Sequence, residues 1–273
     1  MDTVADRTAQ GAATHFIQPL HGSVSGEPRI IVSGKGVEIT DSTGKTFIDS
    51  FAGLWNVNVG FGRAELAQAA YDQMTKIAYC SSYSGQATEP ALKLVDRLLK
   101  LTYPNMDAVY LTSGGAESNE SAFKTARYFW YRQGKPDKVK IVARMRSYHG
   151  TTIATMTATG QPAYWPMFGP KAPGFVHVEP TDQYRNPKTG REYAKALEDK
   201  ILEEGPETVA AFIAEPVVGG AGLLVPPDDY FPAIREICDK YDVLLIADEV
   251  ITGFGRTGKW FALEHWGVQP DIM

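Results

Sequence analysis

The 273-residue chain is 44% hydrophobic and 22% charged, with a formal net charge of −5, which describes a globular protein able to bury a large core. No stripe of Lys or Arg marks a nucleic-acid surface, no apolar run is long enough to span a bilayer, and Met1 to Phe16 lacks the apolar core of a signal peptide. Cys80 and Cys238 stand far apart and in no paired spacing, so a disulfide framework and a zinc site are not expected, and a reducing cytoplasm is the simplest reading.

From Ile30 to Phe51 short apolar stretches alternate with Gly-containing turns. Val37–Thr40 and Thr46–Asp49, separated by Ser42-Thr43-Gly44, predict a small hairpin. Leu66, Ala70, Met74 and Ile77 then fall at helical spacing, as do Leu92, Val95 and Leu99. From Ala108 onward strands and helices alternate. Strands are expected at Ala108–Thr112, Lys138–Ala143, Val209–Ala214 and Val243–Ala247. Helices are expected over Ala116–Arg132, with Phe123, Ala126 and Trp130 on one face, around Tyr193, Leu197 and Ile201, and around Phe231, Ile234, Cys238 and Tyr241. The run Val243–Ala247 is apolar on both faces, as in a central parallel strand covered by helices. The alternation predicts an α/β fold: a mostly parallel twisted sheet with helices on both faces. Such sheets bind ligands at the carboxyl ends of their strands.

Four motifs lie at such ends. Ser113-Gly114-Gly115-Ala116 follows a strand and opens a helix, where free N–H groups and the positive dipole end suit a phosphate. The competing reading is an ordinary N-terminus capped by Ser113 and favoured by Glu117 and Glu120. Tyr148-His149 follows a strand and could stack on a flat heterocycle, although such a pair is more often plain packing. Asp248, with Glu249 beside it, ends a buried strand, where a carboxylate is costly unless paired. A protonated ring nitrogen is one such partner; a metal or loop N–H groups are others. Val250 and Ile251 could supply an apolar floor under that ring. Glu215 ends Val209–Ala214 and is either a polar neighbour of the same ligand or a structural group. Gly253, Gly255 and Gly258 match a dinucleotide-binding pattern, with Asp271 near the spacing of a ribose-binding acid. They do not directly follow a strand, and no second strand precedes Asp271, so this match is set aside.

Taken together, GLWNVNVGFGR, SGGAESNE, SYHGTT, AEPVVGGAG and IADEVITGFGRTG, in this order between about Gly53 and Met273, resemble the class III (omega) aminotransferases. The resemblance implies a type I pyridoxal-phosphate (PLP) transferase fold, built as a homodimer. It also implies a transaminase that moves an amino group from an amine or omega-amino acid to a keto acid such as pyruvate, in ping-pong fashion. It places the PLP phosphate on Gly115 and Ala116, with Ser113 and Gly114 of the same turn among the cofactor-binding residues, and Tyr148 on one face of the ring with His149 beside it. Val250 or Ile251 covers the other face, Asp248 pairs with the ring nitrogen, and Glu215 lies near the ring substituents. Trp55 resembles a residue lining the substrate pocket of amine–pyruvate members. Gly115 stands where a serine is common, so it can offer only its N–H. The resemblance sets the cofactor-binding lysine immediately after Pro270-Asp271-Ile272, beyond Met273. No catalytic lysine is therefore assigned, the fold is expected to be incomplete, and the chain as it stands is expected to be inactive. Residues 1–60 read as an N-terminal segment carrying the hairpin, and 61–273 as the PLP-binding large domain. Alternatives on the same fold are a PLP aminomutase, racemase or decarboxylase, or a non-catalytic binding module.

Overall fold

A computed structural model describes Arg29–Met273; the stretch Met1 to Phe16 lies outside the described residues. The chain divides into two compact units at Ser81/Ser82.

In the first unit, β1 (Ile31–Lys35), β2 (Glu38–Asp41) and β3 (Thr46–Ile48) form an antiparallel sheet in that order. The expected hairpin is β2–β3, with Ile39 opposite Phe47 and Thr40 opposite Thr46. Asp41 fixes its turn, because Oδ1 accepts hydrogen bonds from Thr43 N, Thr43 Oγ1 and Lys45 N. After β3 the chain makes one left-handed turn over Ala52–Trp55, with φ of 47°, 59°, 62° and 63° at Ala52, Gly53, Leu54 and Trp55. Its backbone is bonded as a helical turn, Trp55 N to Phe51 O and Asn56 N to Ala52 O. Only Gly53 takes this conformation freely; each other residue there costs about 1–2 kcal/mol. Helix α1 (Ala64–Lys76) follows, as the spacing predicts, but none of its residues is buried, and Leu66 and Met74 lie exposed.

The second unit opens with α2 (Glu89–Leu101) and is organised by a parallel sheet in the order β5-β4-β6-β7: β4 is Lys140–Arg144, β5 Phe175–Val178, β6 Val209–Ala214 and β7 Leu244–Ala247. Side chains alternate along each strand and sort into two cores. Val142, Phe212, Ala214, Leu245 and Ala247 pack on one face with Tyr193, Leu197 and Ile201 of α5 (Gly190–Glu204) and Phe231, Ile234 and Cys238 of α6 (Tyr230–Lys240). Ile141, Ala143, Ala211, Ile213 and Ile246 pack on the other with Ala122, Phe123, Ala126 and Trp130 of α3 (Gly115–Arg132). The expected helix faces are thus the buried ones, and each fully buried Phe, Leu or Ile side chain contributes about 1.5–3 kcal/mol. Complete burial pushes the Cys238 thiol up to about 12, as expected of an inert core cysteine.

In the second unit, β5 and the short helix α4 (Ile153–Ala158) were not among the elements expected from the sequence, nor was β1 in the first. One expectation is corrected. Ala108–Thr112 is not a strand, and Tyr110 and Leu111 lie exposed. A strand needs a neighbour to complete its ladder. The edge of β7 is instead met by Ile272, bridged in parallel to Ile246.

Candidate active site

The ladder places the two acids. Ile213 pairs with Ile246 and Ala214 with Ala247, and Asp248 N then donates to Ala214 O at 2.9 Å. Glu215 and Asp248 therefore follow one another across adjacent strand ends. Two residues beyond Ile213 and Ile246, both are on the α3 side of the sheet by strand alternation. The next residue, Glu249, reaches away to a different task. Its Oε2 accepts from Thr252 Oγ1 and its Oε1 from Leu263 N.

Asp248 is buried within a polar nest. Oδ2 accepts from His149 Nδ1 and from Asn119 Nδ2, both at 2.8 Å, while Oδ1 takes only Val250 N, at 3.2 Å. Burial by itself opposes a charge here. The bonds from His149, Asn119 and Val250 outweigh it and hold the carboxyl below the usual carboxylate range. Asn119 is a site residue that motif reading missed. It also donates to His149 O at 2.9 Å, so it ties the loop after β4 to the end of β7. Its signal was its place in α3, one helical turn after Gly115 and so on the same face. His149 Nε2 is buried without a partner.

Glu215 closes the other side. Its Oε1 accepts from Tyr148 N and its Oε2 from Gly219 N, both at 3.0 Å. Burial pushes this carboxyl up, helped by the neighbouring charge of Asp248 and opposed by His149 and the two N–H groups. The phenol of Tyr148 is also raised, chiefly by burial. Beneath Glu215, Arg144 is wholly buried; Nη2 donates to Glu215 O, while Nε and Nη1 have no partner.

The start of α3 stands against the same residues. Its N-cap is Gly114, and no side chain caps it. Ser113 does not cap the helix; instead its N–H donates to Glu117 Oε2 at 2.7 Å. The first N–H groups of α3 are thus left to a ligand or to water. The backbone approaches are tight. A Cβ on Gly115 would lie 3.0 Å from Val250 Cγ2, and one on Gly150, where φ is +125°, would lie 2.6 Å from Ala116 Cβ. A Cβ on Gly219 would meet Ile251 Cδ1 at 2.6 Å, and Tyr148 Cβ lies beside Gly220. The structure thus gathers Gly115, Ala116, Tyr148, His149, Glu215, Asp248, Val250 and Ile251 around one strand-end edge. Ser113 and Gly114 lead into it. Trp55 belongs to the first unit.

The glycine pattern near the C-terminus has a different use. Phe254 N donates to Trp260 O and Gly255 N to Lys259 O, so the glycines shape a loop. Asp271 Oδ2 accepts from Leu245 N and pairs with Arg235, which ties the segment after the glycines to the start of β7. Among the described residues no cluster of His, Cys, Asp and Glu is placed to hold a metal ion, and no helix is long and apolar enough to cross a membrane.

An open parallel sheet with an uncapped helix start and an ionised, buried Asp at neighbouring strand ends is the frame of a type I PLP-dependent transferase. The aminotransferase class-III model matches residues 22–273, and the chain belongs to that family. It is 43% identical over 271 residues to a diaminobutyrate–2-oxoglutarate transaminase of Halomonas elongata, covering 96% of this chain and 57% of the relative. It is 45% identical over 253 residues to a taurine–pyruvate aminotransferase of Bilophila wadsworthia, covering 90% and 55%. Among solved structures, an (S)-enantioselective omega-transaminase from Thermomicrobium roseum superposes with a TM-score of 0.94 at 46% identity, covering 99% of this chain and 62% of that one. An amine transaminase from an uncultivated Pseudomonas species, solved in its PLP-bound form, superposes at 0.91 with 35% identity, covering 94% and 60%. The chain therefore spans somewhat more than half the length of these relatives.

Proposed function

We propose that the protein is the cofactor-binding part of a PLP-dependent transaminase that moves an amino group from an amine or omega-amino acid to a keto acid such as pyruvate. The observation that carries this reading is Asp248: a buried carboxylate held ionised, with Oδ1 engaged by a single N–H, beside an uncapped helix start. That donor set fits PLP. The first N–H groups of α3 at Gly115 and Ala116, with Ser113 and Gly114 leading in, would take its phosphate. Tyr148 would cover one face of its ring, with Val250 and Ile251 on the other, Glu215 near its substituents, and Asp248 on its nitrogen. When bound, PLP supplies an electron sink for a carbanion at the substrate carbon. Asp248 keeps a ring-nitrogen proton in place, because a fixed anion favours the protonated ring. His149 and Asn119 hold that anion in one orientation. The apolar pair Val250 and Ile251 would lie against one face of the ring, Val250 from a solvent-exposed position.

Trp55 would line the donor pocket, in keeping with the GLWNVN segment. The relatives named for pyruvate support pyruvate as an acceptor, the family resemblance supports a homodimer, and the absence of any paired cysteine spacing in the sequence suits a reducing cytoplasm. The test is incubation of the intact enzyme with PLP, an omega-amino acid or amine, and pyruvate. Alanine formed in step with loss of donor amine is the expected result. Loss of carbon dioxide, or racemised or rearranged donor without alanine, would assign a decarboxylase, racemase or aminomutase on the same fold instead.

A further inference from the structure

Three neighbouring strands of the second unit, in the order β5-β4-β6, end in loops that one side chain joins. Arg146 lies two residues beyond the middle strand, β4, with its backbone in the left-handed region at φ of +65°. A side chain there is strained, and such strain persists only where the surroundings fix it. Arg146 N donates to Gly160 O, and a Cβ on Gly160 would run into Arg144 O and Met145 Cα, so the backbone at this point is pressed against its neighbour. The guanidinium then reaches to both sides. Nη1 donates to Asp182 Oδ2 in the loop after β5, and Nη2 donates to Ala221 O, at 3.0 Å, in the loop after β6. Asp182 is a firm anchor: it is buried, its Oδ1 accepts from Arg185 N at 3.2 Å, and Arg185 Nη1 lies 3.5 Å from its Oδ2. A carboxylate buried in this way is costly unless its cations stay in place.

Ala221 belongs to the turn 219–222, in which Gly222 N donates to Gly219 O. Glu215 ties that turn to the loop of Tyr148, through Gly219 N and Tyr148 N. One tie leaves two loops free to pivot about it. Arg146 stands two residues before Tyr148 and is bonded two residues after Gly219, so it supplies a second tie at a separate point and removes the pivot. A planar guanidinium can hold a carboxylate and a carbonyl in fixed directions, which the single ammonium of a lysine on its flexible stem does less rigidly. We propose that Arg146 is a positioning residue: by joining the loops after β4, β5 and β6 it fixes Tyr148 against the turn 219–222, and so sets the angle at which the Tyr148 ring covers the cofactor. This rests on the reading of Tyr148 as the residue on the ring, given above. The effect falls on how firmly and in which orientation the cofactor is held, more than on the chemical step.

The experiment follows the cofactor itself, in the intact PLP-loaded enzyme and well below its melting transition. Arg146→Ala loses both bonds. Arg146→Gly loses them too but takes the left-handed backbone without strain, and so covers the case in which Arg146→Ala fails to fold. In both, PLP should leave about tenfold faster on dialysis, the scale set by losing charge-assisted bonds. The circular dichroism of the bound cofactor should weaken, because its ring no longer meets Tyr148 at one angle. With excess PLP present kcat should change much less. Arg146→Lys, which keeps the charge but not the fork, should fall between wild type and Arg146→Gly. In a Tyr148→Ala background Arg146→Gly should add little, because the clamp acts through Tyr148. Two results would overturn the proposal: wild-type PLP retention and dichroism in Arg146→Gly, or the full acceleration persisting in the Tyr148→Ala background. A wild-type enzyme that holds no PLP would instead remove the functional reading on which the proposal rests.

Discussion

His149 Nδ1 lies 2.8 Å from Asp248 Oδ2, and both side chains are almost wholly cut off from solvent. With Asn119 on the same oxygen, this pairing turns a carboxylate that burial would neutralise into one that stays charged. It also leaves Oδ1 as the face of the carboxylate able to accept a further donor. Changing Asp248 to Asn removes the charge while keeping the shape. In the intact enzyme kcat should fall at least ~100-fold, about 2.7 kcal/mol in the barrier, with PLP still bound. Steady-state kinetics alongside the cofactor absorbance read both; a kcat near wild type would show that Asp248 is not the group on the ring.

The same pairing sets a pH dependence of stability. The folded pKa of Asp248 lies below its unfolded value. Its contribution is therefore fully present above the unfolded pKa and is lost as pH falls through the folded one. His149→Phe deletes one of the two donors on Oδ2 and should raise the folded pKa of Asp248. The variant should then melt lower than wild type at neutral pH, and the gap should narrow as the pH is taken below the ordinary carboxylate range. Melting curves across pH 3 to 8 test this; a gap that stays constant over the whole range would show that His149 contributes by packing alone.

Glu215 should behave in the opposite sense. Burial, its largest influence, raises its folded pKa above the unfolded value. Protonation then favours the folded state, and stability is lost as pH rises from the unfolded pKa through the folded one. In Glu215→Gln the amide has one acceptor oxygen for the two N–H groups of Tyr148 and Gly219, a fixed cost at every pH. Relative to wild type, Glu215→Gln should therefore do worst at acid pH and recover as the pH rises. A difference that widens with rising pH would contradict a raised carboxyl.

These acids were legible because two apolar runs, Val209–Ala214 and Val243–Ala247, each end on one, and parallel strands gather such ends on one edge. The helix faces of α3, α5 and α6 were legible for a similar reason, since apolar residues recur at helical spacing and become the buried ones. Asn119 and Arg144 were not, because what each touches depends on distant chain: Asp248 lies 129 positions from Asn119, and Glu215 lies 71 positions from Arg144. Strand β5 was hidden by its brevity and by His177 within it. Helix α4, only six residues long and with two Thr and a leading Ile, is too short to announce itself and forms where tertiary packing supports it. Nothing in the letters Ala-Gly-Leu-Trp announces a left-handed turn; only Gly53 permits one.

Two glycines at the site should respond differently to a side chain. At Gly150 a Cβ would lie 2.6 Å from Ala116 Cβ and 2.7 Å from Thr155 Oγ1, on backbone with φ of +125°. Gly150→Ala should therefore prise the Tyr148–His149 loop off the start of α3 and cost about 2 kcal/mol or more. At Gly115 the contact is with the methyls of Val250, an exposed side chain that can turn away. Gly115→Ser should keep the wild-type melting temperature and add a hydroxyl donor toward the phosphate, slowing PLP loss on dialysis. If Gly115→Ser sheds PLP faster, or Gly150→Ala melts as wild type, the arrangement of α3 against its neighbours is not the one described.

Glu249 and Asp248 are adjacent residues with separate tasks, one supporting the fold and one facing the reaction. Glu249 follows Asp248 directly, yet its carboxylate turns to Thr252 and to Leu263 N, tying the end of β7 to the loop that carries Phe254 to Phe261. Burial pushes its carboxyl up, against the bonds from Thr252 and from the N–H groups of Ala262 and Leu263. Glu249→Ala would strip those buried donors of their acceptor, and each unsatisfied group costs about 1–3 kcal/mol. The expected outcome is a lower melting temperature and faster amide exchange at Leu263. The ring-nitrogen site at Asp248 should survive, so activity measured well below the melting transition should fall less than tenfold, against the ~100-fold expected for Asp248→Asn. A Glu249→Ala enzyme that keeps its melting temperature but loses activity as far as Asp248→Asn would move Glu249 from the scaffold into the reaction.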